Sequence, residues 1–348
     1  MENNNTKSLK CLSNSDKKAL VIPTNEWLQP VKLLITNSSN AQQVLARMIN
    51  KENILVRVTL NSNNKLGIIN KLLQKISNFP LVYCTIICNE SSDIIDANYT
   101  INGKPAKGFC NGKSSDGFVT LEVMKYYKAN RTKDLIKQKI GLNEMKNLLD
   151  QAIGAQLLAF QAYGFVHNDV NINNFIIEEK KSIFEFKFDF GKKIGFKPIG
   201  GKSNLKVYVI DFGEAELLKP ELRAQYIPDY WVDTGRDDMP KLTNPIYINK
   251  SNTLPNSLFE TIKEFLRLCP NFIENLDKIN KLEVQQNQIL DYYNYYFNKN
   301  YATMCRTTND FNKFMIQSMY KSILMCNSFY QALFNEPFTE VDLYEYKL

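Results

Sequence analysis

The residues best suited to chemistry in this chain lie in two stretches, GFVHNDVNINNFII (164–177) and VYVIDFGEAELL (207–218). The first holds His167, the only histidine in 348 residues, then Asp169 and, five positions further on, Asn174. The second holds Asp211, followed by Phe212 and Gly213. Two carboxylates and a carboxamide are oxygen donors of the kind that hold a hard cation which keeps some of its waters. A Ser-His-Asp hydrolase would have to use His167, and no G-x-S-x-G elbow accompanies it. A hydrolase of that kind is therefore not favoured.

The elements that must position them follow from periodicity. Residues 143–165 carry apolar side chains at 145, 148, 149, 152, 153, 157, 158 and 160, a long helix that delivers the chain to His167. NFIIEE reads as a short strand. SIFEFKFDF (182–190) alternates, with Phe184, Phe186, Phe188 and Phe190 on one face, and a Lys/Gly-rich turn region leads on to Asp211. Upstream, VKLLI (31–35), QQVLARMI (42–49) and NILVRVTL (53–60) read as strands separated by turn-forming TNSSN and NKEN. A helix is predicted over 63–79, with strands at LVYCTII (81–87) and GFVTLEVM (117–124). The first 125 residues thus predict a small, mostly antiparallel sheet with one helix. From about residue 256 the pattern is helical and rich in Tyr and Phe.

Composition narrows the class. A chain of this length with 44% hydrophobic and 12% aromatic residues buries a substantial core. Its net charge of +7 favours acidic partners such as phosphates, yet is too diffuse to imply nucleic acid by itself. MENNNTKSLK lacks the apolar core of a signal peptide and reads as a disordered tail. The longest mostly apolar run, 81–88, is far short of a bilayer span, so no membrane partner is expected. Seven scattered cysteines (Cys11, Cys84, Cys88, Cys110, Cys269, Cys305 and Cys326) suit reduced thiols and a cytoplasmic location. Cys84 and Cys88 have a spacing that zinc could use, but no second pair completes four ligands, and the core reading is preferred.

The order H-x-D-x-x-x-x-N and then D-F-G, with helix, loop and two strands around it, resembles the catalytic core of the protein-kinase-like superfamily. The resemblance implies a bilobal α+β fold. A tail (1–24) would precede a small β-rich lobe (25–125) and a larger, mainly helical lobe (126–348) with an insertion at about 180–205. It implies ATP- and Mg2+-dependent phosphoryl transfer to a Ser/Thr hydroxyl of a protein substrate. Asp169 is then the catalytic base or hydroxyl-positioning group, Asn174 and Asp211 are the metal ligands, and His167 is structural. Arg57 stands where a lysine would hold the nucleotide phosphates. Glu122 and Met124 fall at the hinge where backbone groups bind adenine. SNFPLVYC (77–84) and the basic stretch before D-F-G are loosely similar to kinases of large DNA viruses.

Several positions depart from that pattern. Asn168 replaces the usual arginine and Asn171 a frequent lysine, TNSSNA (36–41) has no glycine where a glycine-rich loop belongs, and no A-P-E follows D-F-G. The helix at 63–79 has no acidic residue to offer Arg57, which leaves Glu52 and Glu90 as alternatives. TGRDDMPKL (234–242) offers Asp237 or Asp238 as a buried anchor for the catalytic loop. These departures keep open a pseudokinase acting as a binding or scaffold module, and a small-molecule kinase. Lysines 180, 181, 187, 192, 193, 197, 202 and 206 beside the Phe face could also bind single-stranded nucleic acid. A Phe face packed on the domain beneath solvated lysines is the preferred reading.

Overall fold

A computed structural model describes residues 28–38, 41–48, 53–59, 64–89, 99–101, 104–106, 118–127, 130–131, 140–188, 194–223, 254–267 and 308–343. They form an α+β fold. The chain divides into two compact units, Met1–Gln74 with Pro80–Tyr127, and Lys75–Phe79 with Lys128–Leu348. Among the described residues no helix is long and apolar enough to cross a membrane.

In the first unit, β-branched and aliphatic runs make strands β1 (Leu28–Ser38), β2 (Ala41–Met48), β3 (Asn53–Thr59), β4 (Val82–Asn89) and β7 (Phe118–Lys125), with a small hairpin of β5 (Tyr99–Ile101) and β6 (Lys104–Ala106). The five longer strands form one antiparallel sheet in the order β1-β2-β3-β7-β4. Helix α1 (Asn64–Leu73) lies against β4, where Gly67 comes close enough that an added Cβ would stand 3.4 Å from Thr85. Leu66, Ile69 and Leu73 of this helix are buried, as are Ile54, Val56, Leu121 and Val123 of the sheet.

The helix expected over 63–79 stops at Leu73. Pro80 disfavours helix in the residue before it, and Asn78 has better partners elsewhere. Its buried side chain donates to Val207 O (2.9 Å) and Gln151 Oε1 (3.3 Å), while its carbonyl accepts from Val209 N. Residues 75–79 accordingly belong to the second unit.

The second unit is built around α2 (Leu142–Tyr163), whose residues 148–157 are buried on every side. The other elements are β8 (Asn130–Arg131), β9 (Phe165–Val166), a 3-10 turn (Ile172–Asn174), β10 (Phe175–Phe186), β11 (Ile194–Phe196), β12 (Ile199–Val209), β13 (Glu216–Leu217), α3 (Pro220–Arg223), α4 (Leu254–Leu266), α5 (Thr308–Phe334) and β14 (Val341–Leu343). NFIIEE and the alternating segment after it are one strand, β10, with an irregularity between Glu179 and Ser182. The Lys/Gly-rich region expected as a turn is mostly strand, paired along β10 from Phe186↔Ile199 to Phe175↔Val209. Gly200 and Gly201 mark close approach rather than reversal, since a Cβ on Gly201 would stand 3.0 Å from Phe184 Cζ.

Phe184, Phe186 and Phe188 are buried, and Phe186 lies so close to Gly154 of α2 that an added Cβ would overlap its ring. These three rings are spent on the core; Phe190 lies outside the described residues. Polar side chains of α2 finish the attachment. Asn147 donates to Lys202 O, Gln151 donates to Leu205 O and accepts from Val207 N, and Ser203 donates to Glu144. Beyond α5, β14 pairs antiparallel with β11, and Asn327 clamps the backbone of Thr339 through both its N–H and its carbonyl.

Candidate functional site

Gly164 ends α2 in the left-handed region (φ 68°), with its N–H on Phe160 O. From there β9 pairs with β13, and Leu218 N donates to Gly164 O at 2.9 Å. The two stretches flagged by sequence are thereby laid side by side. On the other flank Phe175 pairs with Val209, and Ile210 N donates to Asn174 O at 2.9 Å. This register brings Asn174 next to the residue preceding Asp211, although they are far apart in sequence.

His167 is fully buried. Its Nε2 lies 2.9 Å from Ile210 O. A carbonyl only accepts, so Nε2 carries the proton and donates. The ring meets Phe212 edge-on, and Phe79, Phe165 and Phe212 complete an aromatic cluster around it. Among the described residues Nδ1 has no hydrogen-bond partner. Burial lowers the imidazole pKa, against the opposing pull of Asp211 and Asp169, and holds the ring neutral. His167 is thus a packing and hydrogen-bonding residue beneath the loop.

That burial has a measurable consequence. Because the folded pKa lies below that of the unfolded chain (about 6.5), the stability this residue contributes is complete above that value. It declines as pH falls from there towards the folded pKa. Between pH 7.5 and 5.5 the stability advantage of wild type over His167→Gln is expected to shrink, by up to roughly 1.4 kcal/mol per pH unit. Urea unfolding of both proteins across that range tests it; a constant difference would contradict a buried neutral imidazole.

Asp169 is exposed, and its orientation is set by two asparagines. Asn174 Nδ2 donates to the Asp169 carbonyl (2.7 Å) and to its Oδ2 (3.0 Å), while Asn171 Nδ2 lies 3.3 Å from Oδ1. Asn171 also caps the 3-10 turn by accepting from Asn173 N. With its amide hydrogens committed to Asp169, Asn174 is left with Oδ1 as its acceptor. Asn168 (φ 64°) and Asp211 (φ 67°) are left-handed, a conformation that Asn and Asp tolerate better than most residues. Asn168 is held there by donating to Glu214 O at 3.0 Å.

The loop is also anchored from below, by a residue that sequence reasoning missed. Glu264 of α4 is buried, and its Oε2 accepts from Ile172 N at 2.8 Å, while Arg267 pairs with its other oxygen. Gln156 of α2 donates to Thr261 Oγ1 and holds α4 in place. Asp237 and Asp238, expected in this role, lie outside the described residues. Glu264 shares its side of α4 with Ser257 and Thr261, away from the apolar face of Phe259, Ile262 and Leu266, so no apolar stripe in the sequence marked it as buried.

Three expected nucleotide-binding residues lie in the first unit. Arg57 is in mid-β3, directly opposite Glu122 of β7, with Nη1 3.6 Å from Glu122 Oε2. Glu122 and Met124 are not in an irregular hinge. They lie within a strand flanked by β3 and β4, so their backbone groups face neighbouring strands on both sides. The chain leaves the sheet only after Lys125. Glu52, Glu90 and residues 39–40 of the turn between β1 and β2 lie outside the described residues.

No protein-family model matches the chain, and no curated protein matches it at a significant level. Its function must be argued from the site itself. Among the described residues no cluster of three His, Cys, Asp or Glu side chains stands ready for a metal. Asn174 Oδ1 and the Asp211 carboxylate are oxygen donors of a kind that suits a cation drawing its remaining ligands from phosphate oxygens and water. That is the habit of Mg2+.

Proposed function

We propose that this protein is a protein-kinase-like phosphotransferase that moves the terminal phosphoryl group of ATP to a Ser/Thr hydroxyl of a protein substrate. The observation that carries the reading is the Asp169–Asn174 pair, with Ile210 N on Asn174 O fixing Asp211 beside it. Phosphoryl transfer asks the protein chiefly to position groups and to balance charge. Exposed Asp169, steered by two amides, receives the proton of the attacking hydroxyl as its oxygen bonds to phosphorus and ADP departs. Asn174 and Asp211 would hold Mg2+, which offsets the charge on the phosphates. Neutral His167 and Glu264 keep the loop in register without taking part in proton transfer. Arg57 is the cation assigned to the phosphates.

A second reading, nucleotide binding without transfer, draws on the loop's own charge. Asn168 and Asn171 leave it without a cation next to Asp169. One assay separates nucleotide binding from its absence. In a thermal-shift titration, ATP with Mg2+ at a hundred times Kd stabilises wild type by about 2.7 kcal/mol, and Asp211→Ala is expected to lose the Mg2+-dependent part. No shift in wild type under any condition would remove nucleotide binding from both readings. A normal shift without transfer to any Ser/Thr peptide would favour the second.

A further inference from the structure

Helix α2 carries a carboxylate where water hardly reaches. Asp150 is 3% exposed, and its Oδ2 accepts from Lys146 Nζ, one turn earlier, at 3.1 Å. That ammonium does not belong to Asp150 alone. It also lies 3.4 Å from Oε1 of Glu336, whose side chain is 54% exposed. One partly exposed cation thus serves two carboxylates, a buried one on α2 and an exposed one beyond α5.

Glu336 opens the C-terminal segment, directly after left-handed Asn335. Buried Phe338 then meets Tyr330 of α5, with 4.9 Å between ring centroids. Thr339 Oγ1 donates to Lys197 O at 2.7 Å, and Lys197 N donates to Glu340 O at 3.1 Å, which carries the chain onto β11. Tyr330 is also a neighbour of Asp150, with Cys326 of the same helix beside it, and Lys146 lies over its ring. Phe338 therefore covers the same phenol that flanks Asp150. The other elements packed on α2 meet it through uncharged groups: the Ser203 hydroxyl and the Lys202 and Leu205 carbonyls of β12, and Thr261 of α4.

A carboxylate held away from water is costly to keep charged, and sharing its cation adds to the cost. Burial pushes the Asp150 carboxyl above the ordinary carboxylate range, against the pull of Lys146, and Glu336 acts in the same direction as burial. Releasing the segment would remove Glu336 and the Phe338 cover together and leave Lys146 to Asp150 alone. The docked arrangement then binds the Asp150 proton more tightly than the released one. By linkage, docking strengthens as pH falls towards the ordinary carboxylate value of about 3.9.

We propose that docking of the C-terminal segment (336–343) is proton-linked through Asp150, which competes with Glu336 for the Lys146 ammonium, so that neutralising Asp150 tightens β14 on β11. The inference stands apart from the phosphotransferase reading and holds whether or not the chain binds nucleotide.

Hydrogen exchange of the full chain, followed at the Thr339 and Lys197 amides, tests it. Both amides are bonded only while the segment is docked, Thr339 N to Asn327 Oδ1 and Lys197 N to Glu340 O. At pH 7.5, Asp150→Asn is expected to slow their exchange by roughly tenfold, the equivalent of one pH unit in the titration of Asp150 between docked and released segment. The slowing should be smaller in a Glu336→Gln background, where the competition is gone. In wild type, protection corrected for intrinsic exchange should rise between pH 7.5 and 4.5 relative to the Leu218 amide, which reports the β9–β13 pairing. The same ratio should stay flat in Asp150→Asn. Unchanged or faster exchange in Asp150→Asn overturns the proposal, and so does an equal change at Leu218, which would mark a general gain in stability. Should Asp150→Asn not fold, the wild-type pH series decides by itself, and a flat ratio there overturns the linkage.

Discussion

Replacing Asp169 with alanine is expected to lower phosphoryl transfer by roughly a thousandfold and to leave nucleotide binding and the fold intact. The side chain is exposed, so truncation opens no cavity. Asn174 Nδ2 loses its contact with Oδ2 but keeps the shorter one to the Asp169 carbonyl, which the substitution does not touch. Asn171 still caps the 3-10 turn through Asn173 N, and Ile172 N still rests on Glu264. What disappears is the group proposed to accept the hydroxyl proton. Transfer of labelled phosphate from ATP to Ser/Thr peptides, with ATP affinity measured in parallel, checks the expectation. Full activity in the variant would remove Asp169 from the chemistry. A joint loss of activity and ATP affinity would reassign it to binding.

Gly164→Ala should destabilise the second unit by about 2 to 5 kcal/mol, combining the strain of a left-handed non-glycine residue with overpacking. The glycine sits at φ 68°, and a Cβ there would stand 2.8 Å from Lys219 N and 2.9 Å from Leu218 N. Those are backbone atoms that cannot swing aside as a side chain would. They are also held in place, because Leu218 N donates to Gly164 O. Relief requires β9 and β13 to part, and β9 is the segment that leads into His167. Urea unfolding measures the loss. A cost below about 0.5 kcal/mol, the ordinary scatter of surface substitutions, would mean that the β9–β13 pairing yields freely and does not fix the loop.

The strands and the long helix were legible because their side-chain periods are local properties. Residues 143–165 match α2 within two positions, and NILVRVTL matches β3 within one. The shortened α1 and the strand character of residues 199–206 were not, since both depend on partners distant in sequence. Asn78 is claimed by Val207, Val209 and Gln151, and Gly200 and Gly201 are made extended by Glu185 and Phe184 across the ladder. The spacing of Asp169 and Asn174 was readable because their hydrogen bonds span five residues. The partner of Arg57 was not. A search of the neighbouring helix for an acidic residue could not foresee that the register of β3 with β7 places Glu122 opposite. Glu264 was hidden for the same reason, since nothing near it in sequence announces the backbone amide it receives.

The pairing of β14 with β11 bears on how the molecule is assembled. The three residues of β14 find their partners across most of the second unit, so this ladder is a long-range contact whose closure is expected after that of the local helices. Until then β11 is an open edge, and an equivalent β14 from another copy offers it the same bonds. Asn335, left-handed at φ 61°, turns the chain between α5 and β14 and is the natural hinge for such an exchange. At high concentration during refolding, strand-exchanged dimers should compete with closed monomers, with no change in the sheet that either one contains.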